Sequence, residues 1–531
     1  MFRIAKSPTL CLTALAFLLA AGLAVIPAPG QAAAPAATPA TPLRVFDPSL
    51  IDKTIDPCEN FYRFSCNGWF KRNPLPADQA SYGRFTELSE LNRQHLRQIL
   101  EGAATPVATR SANEQKIGDE FASCMDTAAI DKLGLAPLQP ELDRIGALKT
   151  AAGLPVLLAH LHSIGVNAFF GMGSAQDYAD SSVVISSYGS GGLGLPERDY
   201  YTRTDAKSVE QRQQYVAHVR KIFVLAGEPE AQAAKDAETV LAIETRLALA
   251  TLTMTEQRDP QNLNHPTDVP KFQKDLTHFS LSEYVAAAHA PASGKMNDSE
   301  PKFFAEFNAL VADTPVEKIK TYLRWQLLHA YAGTSLPSSF DLESWNFYAH
   351  TLQGAEKQKE RWKRCTSRVD GELGEALGQV YVARYFPPAE KQRTLEMTQA
   401  IEEAMSKDID SLEWMSAATK AKAKEKLRGV MNKIGYPDKW RDYSTLQIVR
   451  GDALGNQLRV HEFDQARDLA KIGKPVDKGE WGMTPPTVNA YYDPQMNNVN
   501  FPAGYLQPPF SAAKKMTRPT TATWVRPLAT N

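Results

Sequence analysis

The chain has no excess of either charge. Its 531 residues carry 59 Lys and Arg against 60 Asp and Glu, a formal net charge of −1. That balance argues against nucleic acid or an anionic membrane as the main partner. No Gly-rich phosphate loop is present, no internal repeat, and no low-complexity tract after Pro42. Strand signals are few. Cysteine is scarce, five in all. Hydrophobic residues make up 43% and charged residues 22%, an ordinary globular balance. The length exceeds what one compact core accommodates, so at least two domains are expected.

The N-terminus reads as an export signal, residues 1–33. Arg3 and Lys6 form a short positive region, Thr9 to Ile26 is apolar and uncharged, and Gly30 to Ala34 offers small residues for cleavage. The alternative is an uncleaved membrane anchor. Cleavage is favoured because the apolar run barely reaches membrane-spanning length and ends at Pro27. A periplasmic or extracellular location follows. An Ala/Pro linker then runs to residue 45, and the folded part is expected to begin near Phe46. Cys11 leaves with the signal. Cys58, Cys66, Cys124 and Cys365 remain, which allow three pairings in an oxidising compartment, and spacing does not choose between them.

Apolar periodicity predicts helices over Phe85–Leu100, Val209–Leu225, Glu230–Leu249, Val316–Tyr331, Thr394–Leu412 and Ala417–Ile434. The lysines of the last, Lys420, Lys422, Lys424 and Lys426, read as a solvated face. Asn167–Gly171 and Ser182–Ser187 are expected to pair as a hairpin. A second β region is expected over Val488–Phe501 around a turn at Asp493-Pro494. The fold class is therefore mainly α with small β elements.

Ten histidines are present, but no pair has the spacing that a helical zinc site needs. Such a site takes two histidines four residues apart, so that both rings face one metal, with a Glu between them as general base. His461-Glu462 begins that pattern, but Gln465 stands in the second place and an amide is a poor zinc ligand, so it reads as a surface helix feature. His160 and His162 are two apart on a predicted helix and do not face each other, so their role reads as structural. On ligands alone no metal site and no catalytic residue is found.

Several motifs carry a resemblance. They are Asp56-Pro57-Cys58-Glu59-Asn60-Phe61-Tyr62 through Cys66-Asn67-Gly68-Trp69, and Gly192-Leu193-Gly194-Leu195-Pro196-Glu197-Arg198-Asp199-Tyr200-Tyr201. Further on come Arg361-Trp362 with Cys365, Gly378-Gln379-Val380-Tyr381-Val382, Trp414-Met415 and Ile434-Gly435-Tyr436-Pro437 before Trp440. The last are Asn489-Ala490-Tyr491-Tyr492, Phe501-Pro502-Ala503-Gly504 and Leu506-Gln507-Pro508-Pro509-Phe510. In this order they resemble the neprilysin and endothelin-converting-enzyme family of zinc metallopeptidases. The resemblance implies a largely helical, two-lobed protein around a closed chamber, with zinc as the family's cofactor and peptides as its substrates. It implies a thermolysin-like catalytic lobe made of residues 46–234 and 452–510, and a helical lid over residues 235–451. It also implies that Cys124 pairs with Cys365.

Position by position, Asn489 and Ala490 match the edge strand that holds the substrate backbone. An Asn amide suits this because it both donates and accepts. Phe85, Tyr505 and Phe510 match residues lining the pocket for the side chain after the scissile bond. Ser81 precedes Tyr82-Gly83 where the mammalian peptidase has an Arg that grips a C-terminal carboxylate, which points to endopeptidase rather than dipeptide-releasing action. Beyond Phe510 the family runs on to H-E-x-x-H and a third, Glu ligand. Residues 511–531 do not. They read as a frameshifted tail. Read from each third base, suitable synonymous codons for Lys515 to Asn531 give D-D-A-P-N-Y-G-D-L-G-A-T-I-G-H-E, and the coding DNA decides it. The expectation is a truncated chain without zinc or hydrolysis, with an incomplete catalytic lobe, an exposed apolar face and low stability. Cys58 and Cys66 would then be free or locally bridged.

Overall fold

The computed structural model describes residues 43–45, 47–291 and 294–511. The expected signal, most of the linker, Phe46 and the tail after Ser511 lie outside them. Helices of ten residues or more are α1 (Phe61–Arg72), α2 (Arg84–Ala104), α3 (Ala112–Met125), α4 (Leu154–Ser163), α5 (Ala206–Leu225), α6 (Glu230–Ala250), α7 (Pro301–Asp313), α8 (Val316–Tyr331), α9 (Arg361–Tyr385), α10 (Pro388–Ser411), α11 (Ala417–Arg428) and α12 (Ala453–Leu469). None of the described helices is long and apolar enough to cross a membrane. The fold is mainly helical with small sheets.

Helix ends follow local chemistry. Ser111 accepts from the Glu114 amide while Glu114 accepts from the Ser111 amide, which closes a capping box at α3. Asp205, Ser416 and Asp452 cap α5, α11 and α12. Pro388 opens α10, six residues before the predicted start. The predicted helix to Ile434 is corrected: α11 stops at Arg428, and Met431–Gly435 is a strand. Gly429 ends the helix, and the Met431 amide donates to the Asn497 carbonyl at 3.0 Å, handing the backbone to a sheet.

The strands are β1 (Phe170–Gln176), β2 (Val184–Ser190), β3 (Pro266–Thr267), β4 (Met296–Asp298), β5 (Met431–Gly435), β6 (Tyr491–Asp493) and β7 (Asn498–Pro502). One sheet has the order β1-β2-β4-β3 and the other β5-β7-β6. The predicted hairpin is β1–β2, with its strands starting three and two residues later than expected, because Phe169 has φ +60° and interrupts extended backbone before Phe170. In the second sheet β5 and β7 are parallel, and β6 is antiparallel to β7 with Tyr491 opposite Asn500.

Two hydrophobic cores form. The first spans Leu138 to Phe347, with Leu454, Leu469 and Ile472 of α12 and the turn after it. Phe170 is its hub, with ring centroids of Tyr284, Phe307 and Phe304 at 5.1, 5.3 and 5.6 Å. The second joins α2, α3, α9, β5, β7 and the segment to Phe510. The expected segment boundary at 451/452 falls at the N-cap of α12, and the one at 234/235 lies inside α6.

The Gly192–Tyr201 motif serves the first core. Tyr322 donates to the Gly192 carbonyl at 2.9 Å, and its hydroxyl lies where a side chain on Gly192 would be, so only glycine allows the approach. Tyr201 accepts from the Leu195 amide and donates to Glu244, both at 2.8 Å.

Candidate peptide-binding site

Phe85 stands in the first turn of α2. That end of the helix is anchored on α1: Trp69 donates to Glu87 at 3.1 Å, and Arg84 pairs with Glu87 at 2.6 Å. Ser81 leads into Tyr82, whose ring stacks on Trp69 at 5.5 Å. The Phe85 ring is 51% exposed, a large apolar group left facing solvent at the start of an otherwise packed helix. Tyr505 and Phe510 follow β7 and are buried. Gln507 holds their segment by donating to the Tyr385 and Ala503 carbonyls at 3.1 and 3.2 Å.

The fold brings these three rings together. Phe85 lies 4.5 Å from Phe510 and 6.1 Å from Tyr505, and Tyr505 stacks on Phe510 at 5.3 Å. The result is an aromatic wall with one ring open to solvent, suited to an apolar side chain.

Asn489 and Ala490 immediately precede β6 rather than lying in it. Asn489 is exposed, and its side-chain oxygen accepts from the Ala490 amide at 2.8 Å. β6 is an outer strand of its sheet. Such an edge presents backbone donors and acceptors to an extended segment. The turn after β6 is made by Asp493, which accepts from the Gln495 and Met496 amides at 2.9 and 3.0 Å.

His160, His162 and His461 make other contacts. His162 is half-buried between the Tyr284 hydroxyl at 2.7 Å and the Ala168 carbonyl at 2.9 Å, and desolvation pushes its pKa down to about 4. His160 meets Glu141 at 2.5 Å, so the two rings serve separate contacts. The surface reading of His461 is corrected. Its ring is half-buried, edge-on to Tyr331 at 6.3 Å, while Glu462 is exposed and Gln465 turns inward to the Met172 carbonyl. α12 packs across both cores, so its histidine faces protein. Cys124 and Cys365 are disulfide-bonded, joining α3 to α9, while Cys58 and Cys66 are free. Among the described residues no three His, Cys, Asp or Glu side chains come together in a way that could hold a metal ion. These residues therefore do not fit zinc.

Residues 57–437 match the model of peptidase family M13. The chain belongs to this family. It is 30% identical over 488 residues to Neprilysin-3 of Drosophila melanogaster, covering 87% of this chain and 62% of that protein. It is 28% identical over 487 residues to Endothelin-converting enzyme 1 of Homo sapiens, covering 87% and 62%. The chain thus spans less than two thirds of the length of either relative. Among solved structures it resembles the zinc metalloprotease Zmp1 of Mycobacterium tuberculosis in complex with inhibitor, with TM-score 0.83 and 33% identity over 89% of this chain and 72% of that one. PepO from Lactobacillus rhamnosis shares the fold, with TM-score 0.77 and 21% identity over 85% and 71%. Family M13 is a family of zinc metallopeptidases.

Sequence reasoning missed several buried polar groups of the second core. Asn92 is a buried polar residue between Leu88 and Leu96 on the apolar face of α2. A polar residue in that stripe was the available signal. Glu120, Arg368 and Glu372 form a buried charged cluster. Glu372 and Arg368 also line a cavity of about 340 Å³ with Tyr331 and His461.

Proposed function

We propose that this chain is an exported protein of the M13 zinc metalloendopeptidase family, and that its described residues form a peptide-binding site without carrying the hydrolytic step. The aromatic wall of Phe85, Tyr505 and Phe510 carries the reading: three rings from two segments distant in sequence converge on one half-open apolar surface. Asn489 and Ala490, entering edge strand β6, would hold an extended backbone, while the wall takes a side chain. Zinc, where bound in a relative, polarises the scissile carbonyl and activates water. The residues described here supply neither ligands nor a general base for that step. Ser81, in place of a guanidinium, removes a grip on a terminal carboxylate and favours internal segments of peptides. The Cys124–Cys365 bridge supports an oxidising compartment.

Binding of a fluorescently labelled oligopeptide rich in Leu and Phe, read by anisotropy, tests this. Wild type is expected to bind with or without a chelator and to leave the peptide intact by mass spectrometry. Phe85→Ala and Asn489→Ala are each expected to weaken binding about tenfold. Cleavage that zinc restores and a chelator abolishes would refute the non-hydrolytic part. Unchanged affinity in both variants would refute the site.

A further inference from the structure

Helix α2 buries one face: Leu88, Asn92, Leu96, Ile99 and Leu100. Asn92 is the polar member of that stripe, 2% exposed, and a buried amide there costs stability unless its donors and acceptors are used. Its side-chain nitrogen donates to the Gly504 carbonyl at 3.0 Å and to the Pro486 carbonyl at 3.3 Å. Its oxygen accepts from the Tyr381 hydroxyl of α9 at 3.0 Å. With the amide N–H groups on two carbonyls and the amide oxygen on a hydroxyl, only one amide orientation satisfies all three partners.

The two carbonyls belong to two different loops. Pro486 lies three residues before Asn489. Gly504 directly precedes Tyr505. The loops also touch each other: the Gly504 amide donates to the Pro485 carbonyl at 2.8 Å. A Cβ on Gly504 would come within 2.0 Å of the Pro486 oxygen and 2.9 Å of the Asn92 nitrogen, so this position takes only glycine. Phe85 lies two helical turns before Asn92 on the same helix.

From this convergence we infer that Asn92 is a positioning residue for the peptide site. One buried amide ties together the three segments that carry all five candidate contact residues: α2 with Phe85, the loop leading to Asn489 and Ala490, and the loop leading to Tyr505 and Phe510. Tyr381 sets the amide's orientation. The spacing between the backbone-holding edge and the aromatic wall is thereby fixed from behind, without contact between Asn92 and peptide. The role rests on the peptide-binding reading above, which names the five residues.

The test uses the full chain, the same labelled oligopeptide and hydrogen exchange. Asn92→Leu keeps volume but leaves both carbonyls unpaired, and is expected to weaken peptide binding about tenfold. Tyr381→Phe is expected to weaken it about threefold. The Gly504 amide should exchange faster in both. Leu323→Ala, in the first core, should lower thermal stability and leave affinity unchanged, which separates positioning from general destabilisation. The inference is overturned if Asn92→Leu binds as wild type does, or if Leu323→Ala loses as much affinity. If Asn92→Leu does not fold, folded Tyr381→Phe decides on the same terms. If wild type binds no peptide, the proposed function falls instead. Exchange at Gly504 then judges the clamp, and unchanged protection in the variants overturns it.

Discussion

In the first core, Glu244 is enclosed by four donors: Tyr215 at 2.7 Å, Tyr201 at 2.8 Å, Trp325 at 3.0 Å and Gln326 at 3.1 Å. At the edge of the second core, Glu120 and Glu372 share Arg368, at 2.6 and 3.1 Å, and none of their carboxylate oxygens has a directed hydrogen bond. Both regions bury acid, with opposite results. The first is a closed polar network inside packed aromatic rings, and it fixes a single arrangement. The second leaves two carboxylates competing for one guanidinium beside a cavity, and burial raises the pKa of both. The first core is built for rigidity. The second carries the proposed peptide site and leaves more of its buried polar atoms without hydrogen bonds. Buried charge stabilises only when its hydrogen bonds are complete.

The comparison can be broken most sharply at Glu244. Glu244→Ala strips four buried donors of their acceptor, and chemical denaturation should show a loss of about 4 kcal/mol. A loss under half of that would show that the network is not what holds the first core. Replacing both Cys124 and Cys365 by Ala should cost about 3 kcal/mol, because the bridge closes a separation of 241 residues within the second core. Equal stability of the oxidised and reduced protein would contradict this.

Arg368→Met is a finer probe. Glu120 and Glu372 can take up protons once the guanidinium is gone, so the expected loss is only about 2 kcal/mol near neutrality. It should grow as pH rises, since each added unit favours ionised carboxylates in the unfolded chain. Wild type should show the same sign more weakly. Burial lifts Glu244 from 4.5 to about 7 and Asp298 from 3.8 to about 7, so the folded chain holds these protons more tightly than the unfolded one. Stability should therefore be greatest near the ordinary carboxylate range and fall as pH rises to about 7. Calorimetry that shows the melting temperature rising over that interval would reverse the sign and sink the account.

Phe85→Ala should change stability least, by about 1 kcal/mol or less, because its ring is half-exposed. Its effect belongs to binding. A large drop in stability would make Phe85 a core residue and remove it from the site.

Much of this was legible in the sequence. The 3.6-residue periodicity placed Val316–Tyr331 at its observed bounds, and the motif order gave the family and the Cys124–Cys365 pair. The failure at Ile434 shows the limit. Apolar and lysine residues resume after Gly429, so the helical pattern reads on past a stop signal, and pairing with β7 makes Met431–Gly435 extended. Phe85, Tyr505 and Phe510 could be named from motif positions, but their common surface could not. Asn92 was invisible as a clamp because its partners lie 394 and 412 residues away.

By itself the sequence determined where several long helices lie and which family's motifs the chain carries, because caps, periodicity and short motifs are local. The tertiary structure alone decided which loops meet at Gly504, which carboxylates lie buried beside Arg368 and which aromatic ring stays open to solvent. Those outcomes depend on close packing between distant segments, which no local pattern encodes.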